Sequence, residues 1–116
     1  MAQQGVIILS TFPSEESAAN VANKVVSLKL CACVNFTKIR SIYAWKGKIE
    51  DQPEFIALFK TTAMSSRKLK AEITKLHPYE VPEIVELKMS DVSKSYLSWL
   101  AESTDSVAKK RHNAAK

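Results

Sequence analysis

Three groups of residues carry side chains suited to binding a metal, moving a proton or stacking on a base. Cys31-Ala32-Cys33 sets two thiols two positions apart. On a strand that spacing turns both sulfurs to one face, offering two soft ligands to copper or zinc. A structural zinc site takes four ligands, and the chain has no other cysteine. Free cysteines are among the most buried residues, so core packing is the simpler reading of the pair. The second group is His77-Pro78-Tyr79-Glu80-Val81-Pro82-Glu83, in which two prolines stiffen an extended path. His77, placed after a helix, is favoured as a cation by the helix dipole, while its neutral imidazole is a metal ligand. The third group is aromatic: Trp45, Trp99, Tyr43, Tyr79 and Tyr96. The glycine-containing pattern of an RNA-stacking strand is missing from Glu54-Phe55-Ile56-Ala57-Leu58-Phe59, so these rings are assigned to subunit contacts and no nucleic-acid partner is expected.

No nucleophile with a neighbouring base and no paired-carboxylate site is legible. With only Gly5 and Gly47 present, neither G-x-G-x-x-G nor a P-loop can be written. The chain is therefore expected not to be an enzyme of a recognised class.

The formal charge is +5, but Lys109, Lys110, Arg111 and Lys116 fall in the last eight positions. The remainder has 13 basic and 12 acidic residues, or +1. Residues 1–108 read as one domain and 109–116 as a basic, flexible tail. No run approaches the ~20 apolar residues of a membrane span, and the N-terminus has no signal-peptide layout. A cytoplasmic location is expected, with both cysteines as thiols.

The elements that must position these residues follow from periodicity. Val6-Ile7-Ile8-Leu9 is a β-branched strand closed by Phe12-Pro13. Ser14 caps a helix in which Ala18, Val21, Ala22, Val25 and Val26 recur at helical spacing. Leu30 to Trp45 is the first arm of a long hairpin turning at Gly47, and Pro53 on the return arm implies a bulge or an edge. In Phe55-Ile56-Ala57-Leu58-Phe59 neither face of the strand is polar. The domain's own helices cover one face of a small antiparallel sheet, so a partner chain is the simplest cover for the other. A second helix opens at Ser65, with Met64 and Leu69 as a hydrophobic staple, and stops before Pro78. Ile84 to Met89 is a strand, and Ser93 to Thr104 a last helix. The fold class is α+β: a ferredoxin-like βαββαβ sandwich with an added C-terminal helix.

Taken in order, Cys33-Val34-Asn35, Ser41-Ile42-Tyr43 with Trp45 and Gly47, Lys60-Thr61, His77 to Glu83 and Tyr96-Leu97-Ser98-Trp99 resemble the CutA family over roughly residues 5–104. The resemblance implies a compact homotrimer whose long hairpin strands pair between subunits, as in the PII signalling proteins. It also implies a role in tolerance of copper and other divalent cations in bacteria, and in acetylcholinesterase maturation in animals. In the bacterial pattern, copper ligands are a cysteine near the end of the first strand and two histidines before Pro-Tyr; the matching positions here are Ser10, Leu76 and His77. The expected site is His77 with Cys33 as soft helper, weakly holding copper or another divalent cation between subunits. Glu54, Lys60 and Tyr79 are expected to line the cleft. The alternative is a PII-like scaffold that recognises a small molecule or a protein without a tight metal site.

Overall fold

The structure, a computed structural model, describes residues 3–104; the basic tail lies outside them. Strand β1 (Gly5–Phe12) is followed by helix α1 (Glu15–Ser27), the hairpin β2 (Cys33–Trp45) and β3 (Lys48–Thr62), helix α2 (Ala63–Leu76), β4 (Val85–Lys88) and α3 (Lys94–Glu102). The order matches the periodicity, and the strands form one antiparallel sheet, β2-β3-β1-β4.

Local chemistry explains the boundaries. Ser14 accepts from the Ser17 amide while Ser17 reaches back to the Ser14 backbone, completing a capping box on α1. Lys46 and Gly47 both take positive φ, 49° and 80°, the pair a two-residue hairpin loop with the twist of its strands requires. The β2–β3 register runs unbroken through Arg40 and Pro53, so there is no bulge. Pro53 lies beyond Phe55, the last β3 residue paired with β1, so on that side the strand is an edge. Helix α2 begins at Ala63, two residues earlier than its sequence implies. Thr62 is the N-cap without a side-chain bond, and Ser65 and Ser66 are buried inside the first turn. The expected staple fails with that shift, leaving Met64 exposed. Cys31 precedes β2 and does not share a strand with Cys33.

Helices α1 and α2 cover one face of the sheet. Val6, Ile8 and Phe12 of β1 and Ala57 and Phe59 of β3 pack there with Ala18, Val21, Val25, Leu69, Ile73 and Cys31. Val26 misses the core and is exposed. Each fully buried large side chain contributes about 1.5–3 kcal/mol of transfer free energy. The alternation in β3 therefore resolves: Ala57 and Phe59 face the helices, whereas Ile56 and Leu58 face away. On that second face Ile7 and Leu9 lie opposite Leu87 and Val85, which are 44% and 41% exposed. Its two ends are covered: at the far end Thr11 and Glu54 are buried, 8% and 7% exposed, and at the near end α3 closes over Gly5. A Cβ on Gly5 would meet Met89 Sδ at 2.5 Å and Leu100 Cδ1 at 3.5 Å, so glycine lets α3 and Met89 close over the strand.

Candidate functional site

The core-facing row of β1 reads Val6, Ile8, Ser10, Phe12, and Ser10 is a fully buried hydroxyl among hydrophobes. Such a group needs a partner. Helix α2 ends at Leu76 because Pro78 forbids the helical conformation at His77, which turns extended at ψ 135°. That turn delivers the imidazole to the end of β1. His77 Nε2 lies 3.1 Å from Ser10 Oγ, and the ring stacks on Phe12 with centroids 4.4 Å apart and planes 16° from parallel.

The next two residues fix the tautomer. The Tyr79 backbone N–H donates to His77 Nδ1 at 3.2 Å, so Nδ1 is the unprotonated nitrogen. Nε2 then carries the proton and donates to Ser10 Oγ. Burial pushes the His77 pKa below its ordinary value, against the opposing pull of the Thr11 carbonyl and the Glu54 carboxylate. The ring is therefore neutral near pH 7. Since Nε2 is already protonated it cannot accept the Ser10 proton, and the pair is not set up as nucleophile and base.

Tyr79 then reaches across the β1 end. Its hydroxyl donates to Glu54 Oε2 at 2.5 Å, one residue past the last β1–β3 pair. Glu54 is only 7% exposed. Burial first, then the Glu54 bond and its charge, raise the Tyr79 pKa, so the phenol stays a donor.

Four of the groups thus converge: Ser10, Glu54, His77 and Tyr79, with Phe12 as the platform. Phe12 and the Thr11 carbonyl were not among the expected site residues, and Ser10 entered only as the position matching the family's cysteine ligand; its hydroxyl in an otherwise apolar core-facing row is a second signal for it. Cys33 and Lys60 lie elsewhere. They are directly paired across β2 and β3, three residues along β3 from the Ser10 partner Ala57, and on the face turned away from α1 and α2. Cys33 is partly exposed and near Asn35 Oδ1 at 3.7 Å. Cys31 is buried, donates to the carbonyls of Cys33 and Lys60 at 3.2 and 3.3 Å, and burial pushes its pKa up to about 12, which suits a packed thiol and not a ligand.

Within one chain these residues do not fit a closed metal site. The Nδ1 lone pair is committed to the Tyr79 amide, Nε2 to Ser10, and among the described residues no three His, Cys, Asp or Glu side chains come together.

Comparison with known proteins adds an independent line. Residues 6–103 match the model of the CutA1 divalent ion tolerance protein family. The divalent-cation tolerance protein CutA of Thermotoga maritima is 45% identical over 98 residues, covering 84% of this chain and 97% of its own. The crystal structure of CutA1 from Pyrococcus horikoshii superposes with a TM-score of 0.84 at 40% identity, covering 86% of this chain and 98% of that one. A relative from Archaeoglobus fulgidus, described as a periplasmic divalent cation tolerance protein, aligns at 33% identity and a TM-score of 0.84, over 87% of this chain and 99% of that one.

Proposed function

Because the chain belongs to the CutA1 divalent ion tolerance family, we propose that it acts in divalent-cation tolerance as a homotrimeric binding protein. In this reading it holds copper or another divalent cation weakly and catalyses no reaction. The observation that carries it is the double engagement of His77: a cation reaching the ring must first displace the Tyr79 amide or the Ser10 hydroxyl. With one or two protein ligands and water completing the shell, the expected copper affinity is in the micromolar range, roughly −8 kcal/mol. Cys33 of the same chain is on the other side of the sheet, so a thiol helper has to come from a neighbouring copy. The half-exposed apolar face of Ile7, Leu9, Ile56, Leu58, Val85 and Leu87 supports that assembly. A cytoplasmic location fits two free thiols, and no described helix is long and apolar enough to cross a membrane.

Calorimetric titration with copper and zinc of the parent, His77→Ala and Cys33→Ser tests this reading. Micromolar copper binding lost in His77→Ala is expected. Equal binding by parent and His77→Ala removes the metal role of this site. The short Tyr79–Glu54 contact favours a second reading, a PII-like scaffold whose preorganised polar cluster recognises a small molecule or a protein. Heat on titration with nucleotides or metabolites, lost in Glu54→Gln, would select it.

A further inference from the structure

The two helices that cover the sheet carry their charge unevenly. Outside residues 109–116 the chain has 13 basic and 12 acidic residues. Yet α2 turns Met64, Arg67, Lys68, Ala71 and Lys75 to solvent, all exposed and all on one face, at i, i+3, i+4, i+7 and i+11. Its one acid, Glu72, is half-buried. On α1 both acids, Glu15 and Glu16, are in the first turn, while Lys24 is exposed in the last turn and Lys29 just beyond it. The ion pairs among the described residues are Arg40–Asp51 and Lys70–Glu86, which leave these five cations without a carboxylate partner there.

Hydrogen bonds bring the end of α1 and the start of α2 together. Thr61, next to the α2 N-cap Thr62, donates its hydroxyl to the Leu30 carbonyl at 2.8 Å, and the Leu30 amide donates back to the Val25 carbonyl at 3.0 Å. Aliphatic side chains stand in water at this same end: Val26 is 41%, Leu28 43% and Met64 40% exposed. Cations interleaved with exposed aliphatics suit a surface that has anionic heads over hydrocarbon, where the cations stay at the phosphates and the aliphatics enter the boundary. A nucleic acid offers the charge without the hydrocarbon, and α1 and α2 contain no Phe, Tyr, Trp or His to stack on a base. This face lies outside the assembly proposed above, which covers the opposite side of the sheet.

We propose that the outer face of the helix layer, with Lys29, Arg67 and Lys68 as its cations and Leu28 and Met64 as its aliphatics, docks on an anionic phospholipid surface. The contact is peripheral, since no described helix is long and apolar enough to cross a membrane. It uses neither the His77 cluster nor a bound metal, and so stands or falls apart from the cation-binding reading.

The test is cosedimentation of the intact protein with vesicles of phosphatidylcholine alone and of ~3:1 phosphatidylcholine to phosphatidylserine. The variants are Arg67→Gln/Lys68→Gln, Met64→Gln, a chain lacking residues 109–116, and Lys38→Gln/Lys48→Gln, which makes the same change of charge at exposed positions of the hairpin. Native circular dichroism is required of each. The parent is expected to bind the anionic vesicles alone, and less tightly as salt rises. Arg67→Gln/Lys68→Gln should lose at least ~10-fold in partitioning and Met64→Gln ~3-fold, while the hairpin variant and the shortened chain keep binding. A parent that ignores anionic vesicles overturns the proposal. So does an equal loss in the hairpin variant, which would assign binding to net charge, or loss on removing residues 109–116 with none in Arg67→Gln/Lys68→Gln, which would assign it to the tail. Binding of a single-stranded RNA oligonucleotide in place of vesicles, unchanged in Met64→Gln, would overturn it in favour of a nucleic-acid partner.

Discussion

The two faces of the sheet predict opposite outcomes for the same charge. Phe59 is fully buried against the helices and 6.3 Å, centroid to centroid, from Phe12. In Phe59→Asp, loss of the ring costs about 3–5 kcal/mol, and the buried unpaired carboxylate adds several more. The sum reaches the whole stability of a domain this size, about 5–15 kcal/mol, so the variant is expected to lose its fold. Leu87 is on the other face and 44% exposed in the single chain. In Leu87→Asp the folded chain keeps its core and loses about 1 kcal/mol of partial burial, while an assembled face has to desolvate the new charge. The expectation is native far-ultraviolet circular dichroism with a fall from trimer to monomer mass at micromolar concentration. The assays are urea unfolding followed by circular dichroism, and sedimentation equilibrium. An intact trimer in Leu87→Asp, or a folded Phe59→Asp, refutes the assignment of the faces.

The remaining predictions are local. Lys29 follows the C-cap of α1 at φ 60°, its amide bonded to the Val26 carbonyl and that of Leu30 to Val25, a helix stop that favours glycine. Lys29→Gly is therefore expected to stabilise by about 0.5–1 kcal/mol, read from the urea midpoint. The depressed His77 pKa sets the sign of one pH effect. As pH falls through about 6.5, the ordinary value, the unfolded chain takes up the proton first, so stability drops below that pH and is restored above it. His77→Gln should flatten this part of the profile of melting temperature against pH; an unchanged slope would assign it to other groups.

Much of this was legible in the sequence. The strand and helix order, the Ser14 cap, the stop at Pro78 and the hairpin at Gly47 each follow from local chemistry, which the short-range pattern encodes directly. The start of α2 was not, because Ser65 looks like a cap while the run from β3 carries straight into the helix at Thr62. Nor did spacing tell which face of β3 the helices take, since Phe55-Ile56-Ala57-Leu58-Phe59 is apolar on both. That depends on long-range register. The site was half visible: the stiff His77 to Glu83 segment named His77 and Tyr79, and Glu54 was in the expected cleft. Ser10 was visible only as the match to a ligand position of the family; its contact with His77, the Phe12 platform and the separation of Cys33 and Lys60 from His77 come from the pairing of β1 and β2 with β3, which one sequence does not print.

The central claim is that His77 binds divalent metal weakly because both its nitrogens are already engaged and its nearest neighbour is a hydroxyl. Copper titration of the intact protein beside Ser10→Cys tests this directly, since position 10 lies 3.1 Å from Nε2 and a thiolate there supplies the soft ligand a hydroxyl does not. Predicted is micromolar binding by the parent and tightening of at least ~100-fold in Ser10→Cys, with trimer mass unchanged. Nanomolar binding by the parent, or no tightening in a folded Ser10→Cys, would contradict the account.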